Sequence, residues 1–286
     1  MAVSNPRAVA AQIRSKIPEL TPLEVHVVDV MMSHKDFSEN TTLKEIAQDA
    51  NVSDAMIVKI AKKLGFDGFR DIRAGLAEYN RSDTASLHAE LSPNDSSAQI
   101  VEKVFRTSMQ ALEETIAILD IDAFERAAKA LQQARFRDFY GIGGSAQIAR
   151  DVAHKFLRIG LRVSVHDDAH MMLMSASVLE PDDVVLAFSH SGNSTAVLEP
   201  LELARKNGAR TIAVTNYANS PIASVADHVL CSTAQGSPLL GENAAARIAQ
   251  LNILDALFAA VAQLDRKKAE DRLIKTMNAV ASKRRY

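Results

Sequence analysis

Two short stretches of the sequence hold residue types whose spacing suits the capture of a phosphate. In Ser189-His190-Ser191-Gly192-Asn193-Ser194-Thr195, four hydroxyls and a glycine lie between an apolar run and a helical pattern. Hydroxyls give short hydrogen bonds to phosphate oxygens, glycine lets the backbone come close, and the free N–H groups that open a helix favour negative charge. The second stretch, Gly141-Ile142-Gly143-Gly144-Ser145, also follows an apolar run and precedes a helix starting near Ala146. It offers backbone amides and the Ser145 hydroxyl. A dinucleotide loop of the form G-x-G-x-x-G would need glycine where Ala146 stands, so no nucleotide cofactor is expected. Ser194 or Thr195 taken singly could merely cap a helix. The cluster as a whole carries the phosphate reading.

Interconverting an aldose and a ketose would need a general base beside the carbonyl, and Glu242, His170, His190 and Lys155 are the candidates. Glu242, in the segment LLGENAAARIAQ, could equally bind a sugar hydroxyl. His166, Asp167, Asp168 and His170 fall within five residues but match no zinc spacing, and no metal is expected. Asp168 and His170 could contact sugar hydroxyls or belong to a hydrated loop. Lys155 and Arg158 read as solvated or interface charges, and Met171, Met172 and Met174 as packing residues.

A third cluster suits contact with DNA. Thr42 with Glu45 three residues on has the capping-box arrangement, and Leu43, Ile46, Ala47 and Ala50 form one apolar face. Asn51 supports a turn, and Ser53 can cap a second helix with Ile57, Ile60, Ala61 and Leu64 inward. In a helix-turn-helix the start of the second helix enters the major groove. Ser53, Asp54, Ala55, Met56 and Lys59 are therefore the candidates for base edges or nearby phosphates, with Lys62, Lys63, Arg70 and Arg73 holding the backbone. From Ser53 to Arg73, five basic residues face three acidic ones, a local charge of +2. The whole chain, with 33 Lys+Arg and 35 Asp+Glu, is near neutral, so any DNA site must be local.

These residues need scaffolds. Helical periodicity covers Thr21–Phe37 and Thr42–Tyr79, and the polar stretch Arg81–Ser97 reads as a connection. Ile100–Ala134 returns to helical spacing, with Val101, Val104, Met109, Leu112, Ile116 and Leu119 along one face, and is expected to open the second domain. Strands are expected at Phe136–Ile142, Arg162–His166, Asp183–Ser189, Thr211–Thr215 and His228–Ser232, alternating with helices. That alternation predicts a five-stranded parallel sheet covered on both faces. A long helix should run from about Asn243 to Leu264, followed by a polar tail ending in Lys283, Arg284 and Arg285. The expected organisation is a helical N-terminal domain over 1–80, a linker over 81–99 and an α/β domain over 100–286.

The length of 286 residues suits two domains, and 47% hydrophobic with 24% charged residues is the balance of an ordinary globular protein. Cys231 cannot form an internal disulfide alone, which fits a reducing cytoplasm. No signal peptide is read, and no apolar run is expected to reach the roughly 18 residues that cross a bilayer.

The segment VSDAMIVKIAKKLGFDGFRDIRAGLAEY, Val52–Tyr79, resembles the N-terminal domain of the RpiR family of bacterial regulators, in which a recognition helix precedes a Leu-Gly-Phe-x-Gly-Phe segment. Here that segment is Leu64, Gly65, Phe66, Gly68 and Phe69. The Ser-x-Ser-Gly-x-Ser pattern resembles the phosphate-binding signature of sugar isomerase (SIS) domains over about Phe136–Leu264. This second resemblance implies a flavodoxin-like three-layer sandwich. It also implies that Ser145, Ser189, Ser191 and Ser194 hold a sugar's phosphate, with Gly143, Gly144, His190, Gly192 and Glu242 around it. Within the family the chain is similar to repressors of ribose and allose utilisation. The joint resemblance implies a DNA-binding repressor, without enzymatic activity, whose operator affinity is modulated by a phosphorylated sugar. The implied partners are double-stranded operator DNA and a second copy, as homodimer or homotetramer, with no membrane. A sugar phosphate isomerase with an accessory helical domain, and an adaptor for a protein partner, are the alternatives.

Overall fold

The computed structural model describes residues 6–34, 37–81, 91–234 and 244–283. They form two compact units, Met1–Ile118 with Thr233–Ala246 and Leu119–Ser232 with Arg247–Tyr286.

The first unit is helical: α1 (Pro6–Lys16), a 3-10 turn (Ile17–Glu19), α2 (Pro22–Ser33), α3 (Leu43–Asp49), α4 (Asp54–Lys63), α5 (Phe69–Asn80) and α6 (Ser97–Ile118). Local chemistry sets the helix starts. Thr21 and Thr42 each close a capping box, with Glu24 and Glu45 returning a bond to the cap backbone. The turn between α3 and α4 places Asn51 at φ 52°, a left-handed conformation that asparagine tolerates. Val9, Ile13, Val27, Met31, Ile46, Ile57, Ile60, Leu64, Ile72 and Leu76 form a continuous apolar core, and Phe66 and Phe69 anchor the segment after α4 in it.

The expected domain boundary at residue 100 falls inside α6, which packs with the first unit. The face of α6 that is buried carries Gln110, Ala111, Glu114 and Thr115. Glu114 is fully buried, pairs with Arg14 of α1 and accepts from the Tyr79 hydroxyl of α5 at 2.7 Å. Gln110 Nε2 donates to Tyr79 and to Glu114 at 2.7 and 2.9 Å. A charge pair with its remaining lone pairs satisfied can be buried where an isolated charge cannot, so this node binds three helices together. The apolar face read from the sequence is the outer one: Val101, Met109 and Ile116 are exposed. Of the expected linker, residues 82–90 lie outside the described residues, and Ser97–Gln99 already belong to α6.

The second unit begins with α7 (Ile121–Gln133) and continues through β1 (Arg137–Gly141), α8 (Gly144–Arg158), β2 (Ser164–His166), α9 (Ala169–Ala176), β3 (Val184–Phe188), α10 (Thr195–Lys206), β4 (Arg210–Thr215), α11 (Pro221–Val225), β5 (His228–Cys231), α12 (Ala244–Leu264) and α13 (Arg266–Ala281). All strand pairs are parallel, in the order β2-β1-β3-β4-β5. One face of the sheet packs Phe139, Leu186, Phe188 and Val214 against Ile148, Val152, Phe156 and Leu254. The other packs Tyr140, Val185, Ala187 and Ala213 against Met172, Ala176, Val197 and Leu201. β1, β3 and β4 are buried on both faces, which explains why β3 (Val184–Phe188) reads as a continuous apolar run, while β1 also buries Arg137 and Asp138.

Two expectations need correction. The basic tail after Leu264 is largely a helix, α13, because Ala269 and Leu273 fall at helical spacing and pack on the core while the charged residues around them face outward. Arg284 and Arg285 lie outside the described residues. Contrary to expectation, α12 is long and apolar enough to cross a membrane. Its Ile253, Leu254, Leu257 and Val261 are buried in the core of the second unit, which accounts for that apolarity.

Candidate functional site

In the order β2-β1-β3-β4-β5 the chain reverses direction across the sheet between β1 and β3, and ligands of open α/β sheets bind beyond the carboxyl ends of the strands at such a point. Gly141, the last residue of β1, pairs in register with Phe188, the last of β3. The two hydroxyl-bearing turns therefore leave adjacent strand ends, about 4.8 Å apart.

After β1, Gly143 caps α8 at φ 60°, and Ser145 N–H donates to Ile142 O at 3.2 Å. Gly143 and Gly144 face open space. After β3, the turn is pinned to the end of β4. Ser189 N–H donates to Val214 O at 3.1 Å, and His190 O accepts from Asn216 N–H at 3.0 Å and from Thr215 Oγ1 at 3.2 Å. Gly192 closes the turn on Ser189 O at φ 67°. A Cβ at Gly192 would lie 2.1 Å from Ser220 Oγ and 2.2 Å from Ser220 Cβ, so only glycine fits. Ser191 Oγ accepts from Asn193 N–H at 3.3 Å, and the His190 ring meets Tyr217 edge-on with centroids 6.0 Å apart.

Ser194 holds the N-cap position of α10 without making a side-chain cap bond, and Gly143, at the N-cap of α8, has no side chain to make one. The hydroxyls of Ser145, Ser189 and Ser194 have no partner among the described residues. Two helix N-termini without side-chain caps and unengaged hydroxyls at one strand junction form a cradle of hydrogen-bond donors that suits an oxyanion. Glu242 lies outside the described residues.

The other candidates are placed elsewhere or otherwise engaged. Asp168 caps α9 by accepting from Met171 N–H at 3.0 Å, which accounts for its carboxylate locally, and His170 is exposed. His166 Nε2 lies 3.5 Å from Asp138. Lys155 pairs with Asp151 and Asp255. Met172 is fully buried, whereas Met171 and Met174 are exposed. Thr215 and Ser220 shape the β3 turn and escaped the sequence reading, because what brings them beside Gly192 is strand pairing across more than twenty residues.

In the first unit, Ser53, Asp54, Ala55, Lys59 and Lys62 are exposed along α4, with Met56 half-buried. Ser53 stands at the N-cap but makes no side-chain cap bond, contrary to expectation. Two of the cations expected to hold a phosphate backbone are engaged within the fold. Lys63 Nζ sits 2.7 Å from Glu24, whose carboxyl is held down to about 2 by that bond and by the Thr21 amide. Arg73 donates to Thr41 O at 3.3 Å and lies over the Phe69 ring. Lys59, Lys62 and Arg70 are the exposed cations that remain.

Residues 7–83 match the helix-turn-helix domain of the rpiR family, and residues 130–260 match the SIS domain. The chain is 43% identical over 275 residues to the HTH-type transcriptional regulator RpiR of Escherichia coli K12, covering 96% of this chain and 93% of that one. The chain belongs to the RpiR family. It is a DNA-binding HTH-type transcriptional regulator with a SIS domain. The fold is shared with the NanR protein of Vibrio vulnificus complexed with ManNAc-6P, at a TM-score of 0.62 and 23% identity, covering 97% of this chain and 100% of that one. It is also shared with the sugar isomerase domain of an RpiR transcription factor from Sphaerobacter thermophilus, at a TM-score of 0.57 and 24% identity over 63% of this chain and 99% of that one.

Proposed function

We propose that this regulator is a repressor of a sugar-utilisation operon whose grip on its operator is changed by a phosphorylated sugar held in the SIS domain. The observation that carries the effector assignment is the pair of helix N-termini without side-chain caps, α8 and α10, beside the hydroxyls of Ser145, Ser189 and Ser194. The NanR structure was solved with a sugar phosphate, ManNAc-6P, which supports the same class of effector here. Ser191, Gly192, His190, Gly143 and Gly144 complete the phosphate cradle, and Glu242 meets a sugar hydroxyl. Ser53, Asp54, Ala55, Met56 and Lys59 read the major groove, with Lys62 and Arg70 on phosphates.

Two copies meet two half-sites, and the sugar phosphate favours one arrangement of the paired DNA-binding units. A coupling of about 1 to 3 kcal/mol is typical of such linkage, and operator DNA must alter sugar-phosphate affinity by the same factor. The chain acts in the cytoplasm and turns nothing over, because a regulator gains no signal by consuming its own effector.

Fluorescence anisotropy on the DNA upstream of the protein's own gene, repeated with pentose and hexose phosphates, tests this. Sequence-specific binding shifted by one sugar phosphate, and not by the unphosphorylated sugar, is expected. Replacing both Ser189 and Ser191 with alanine should abolish that shift and leave operator affinity unchanged. Isomerisation of a panel member without any effect on operator binding would instead make the SIS domain an enzyme.

A further inference from the structure

Ser232 and Thr233, the two residues after β5, are both buried, and each is bonded to a distant part of the chain. Ser232 N–H donates to Thr215 O at 2.9 Å, and Ser232 Oγ donates to Asn216 Oδ1 at 3.0 Å. Thr215 and Asn216 are the residues that pin the turn after β3 through His190 O. Thr115 of α6 grips the Thr233 backbone twice. Its Oγ1 accepts from Thr233 N–H at 3.0 Å and donates to Thr233 O at 3.2 Å. The residue before it, Glu114, pairs with Arg14 of α1 and accepts from Tyr79 of α5. Ile72 and Leu76 of α5 share one core with Ile57 and Ile60 of α4.

These bonds form an unbroken series that starts at the phosphate turn and ends at the recognition helix. Asn216 and Ser232 belong to the second unit, Thr233 and Thr115 to the first, and the Ser232–Thr233 peptide bond joins them. The series contains an element with two discrete states. Gln250 Nε2 of α12 donates to Ser232 Oγ at 3.3 Å. The Ser232 hydroxyl then has one proton for two acceptors, Asn216 Oδ1 at 3.0 Å and Thr215 O at 3.4 Å. Coupling across a fold is carried by elements of this two-state kind. We propose that Ser232 and Thr115 are positioning residues that relay occupancy of the phosphate turn to the DNA-binding helices without touching either ligand. A phosphate drawn into the cradle shifts His190 and, with it, Asn216. The Ser232 proton then changes acceptor, and the Thr233 backbone passes the movement through Thr115 to α6 and the Glu114 node.

This inference rests on the reading that a sugar phosphate in the SIS domain modulates operator binding, and the parent protein tests that reading separately. Operator Kd is measured by fluorescence anisotropy with and without each member of a panel of pentose and hexose phosphates. The parent should shift about fivefold or more with one member, whereas Thr115→Val, which removes only the hydroxyl, should shift less than about twofold. Thr115→Ser keeps the hydroxyl and should keep the shift. Calorimetric titration of the DNA-free Thr115→Val protein with the same sugar phosphate should give the parent's affinity. Ser232→Ala breaks the series at a second point and should lose the shift equally, and the double variant should lose no more than either single one. Thr211→Val is the control, because Thr211 Oγ1 makes the same reciprocal pair of bonds, to Asp227, outside the series. It should lower stability and keep the shift. A parent-sized shift in either Thr115→Val or Ser232→Ala, folded by circular dichroism, would overturn the relay alone, as would loss of the shift in Thr211→Val. No shift of the parent with any panel member would overturn the effector reading, and the relay with it.

Discussion

In the N-terminal unit the buried polar side chains Arg14, Tyr79, Gln110 and Glu114 bond one another, whereas in the C-terminal unit the hydroxyls of Ser145, Ser189 and Ser194 bond no other described residue. The first arrangement satisfies all of its buried polar atoms except Gln110 Oε1 and holds helices together. The second leaves donors at the carboxyl edge of a sheet whose interior, from Phe139 to Val214, is already stable on apolar packing. The polar groups that hold the helices together thus differ from those proposed to meet a ligand in how far the fold itself satisfies them.

The largest effect should come from breaking the buried polar set. Glu114→Ala leaves the Arg14 guanidinium buried without its carboxylate and should cost about 3–5 kcal/mol of the first unit's stability. With no tryptophan in the chain, circular dichroism at 222 nm during urea unfolding is the suitable probe. Operator binding should be lost and sugar-phosphate binding kept. A loss below about 1 kcal/mol would erase the contrast between the units.

Next in size is Gly192→Ala, which forces a Cβ onto Ser220 at a left-handed φ and should cost about 1–3 kcal/mol together with the effector response. Adding Ser220→Gly relieves the clash but not the dihedral, so recovery should be partial. Full recovery would show that contact alone dictates the glycine.

A pair of lysines on one helix then sharpens the comparison. Lys59→Ala should leave stability unchanged, weaken operator binding, and lower the salt dependence of that binding by about one unit of slope. Lys63→Ala should instead cost about 1–3 kcal/mol of stability, because it strands the Glu24 carboxylate. If the two variants behave alike, the division between folding and DNA-facing cations fails.

The smallest expected effect is one of pH. The Glu24 carboxyl lies below its ordinary value in the folded unit, at about 2, because Lys63 and the Thr21 amide hold its charged form. The stabilisation is therefore complete above about pH 4.5 and is lost as pH falls towards 2. Acid unfolding of the Glu24→Gln protein, followed by circular dichroism, should be less steep in that window than that of the parent.

Much of this molecule was legible in one dimension because the signals are local. The Thr42 to Glu45 capping box, the turn at Asn51, the alternation of apolar runs with helices and the glycine-flanked hydroxyls after β1 and β3 each depend on neighbours a few residues away. Assigning α6 to a unit failed for the opposite reason. Its apolar stripe looks like a core face, but the partners that bury its other face, Arg14 and Tyr79, are 100 and 35 residues from Glu114. The same limit hid the ties of Lys63 to Glu24 across 39 residues and of Arg73 to Thr41 across 32. Apart from the helices α1 and α13, sequence by itself determined which segments would be helix or strand and which residue types could meet a phosphate or a base, since both follow from period and local hydrogen bonding. Only the tertiary structure decided which of those polar groups remain available, because that depends on which other part of the chain desolvates and pairs with them.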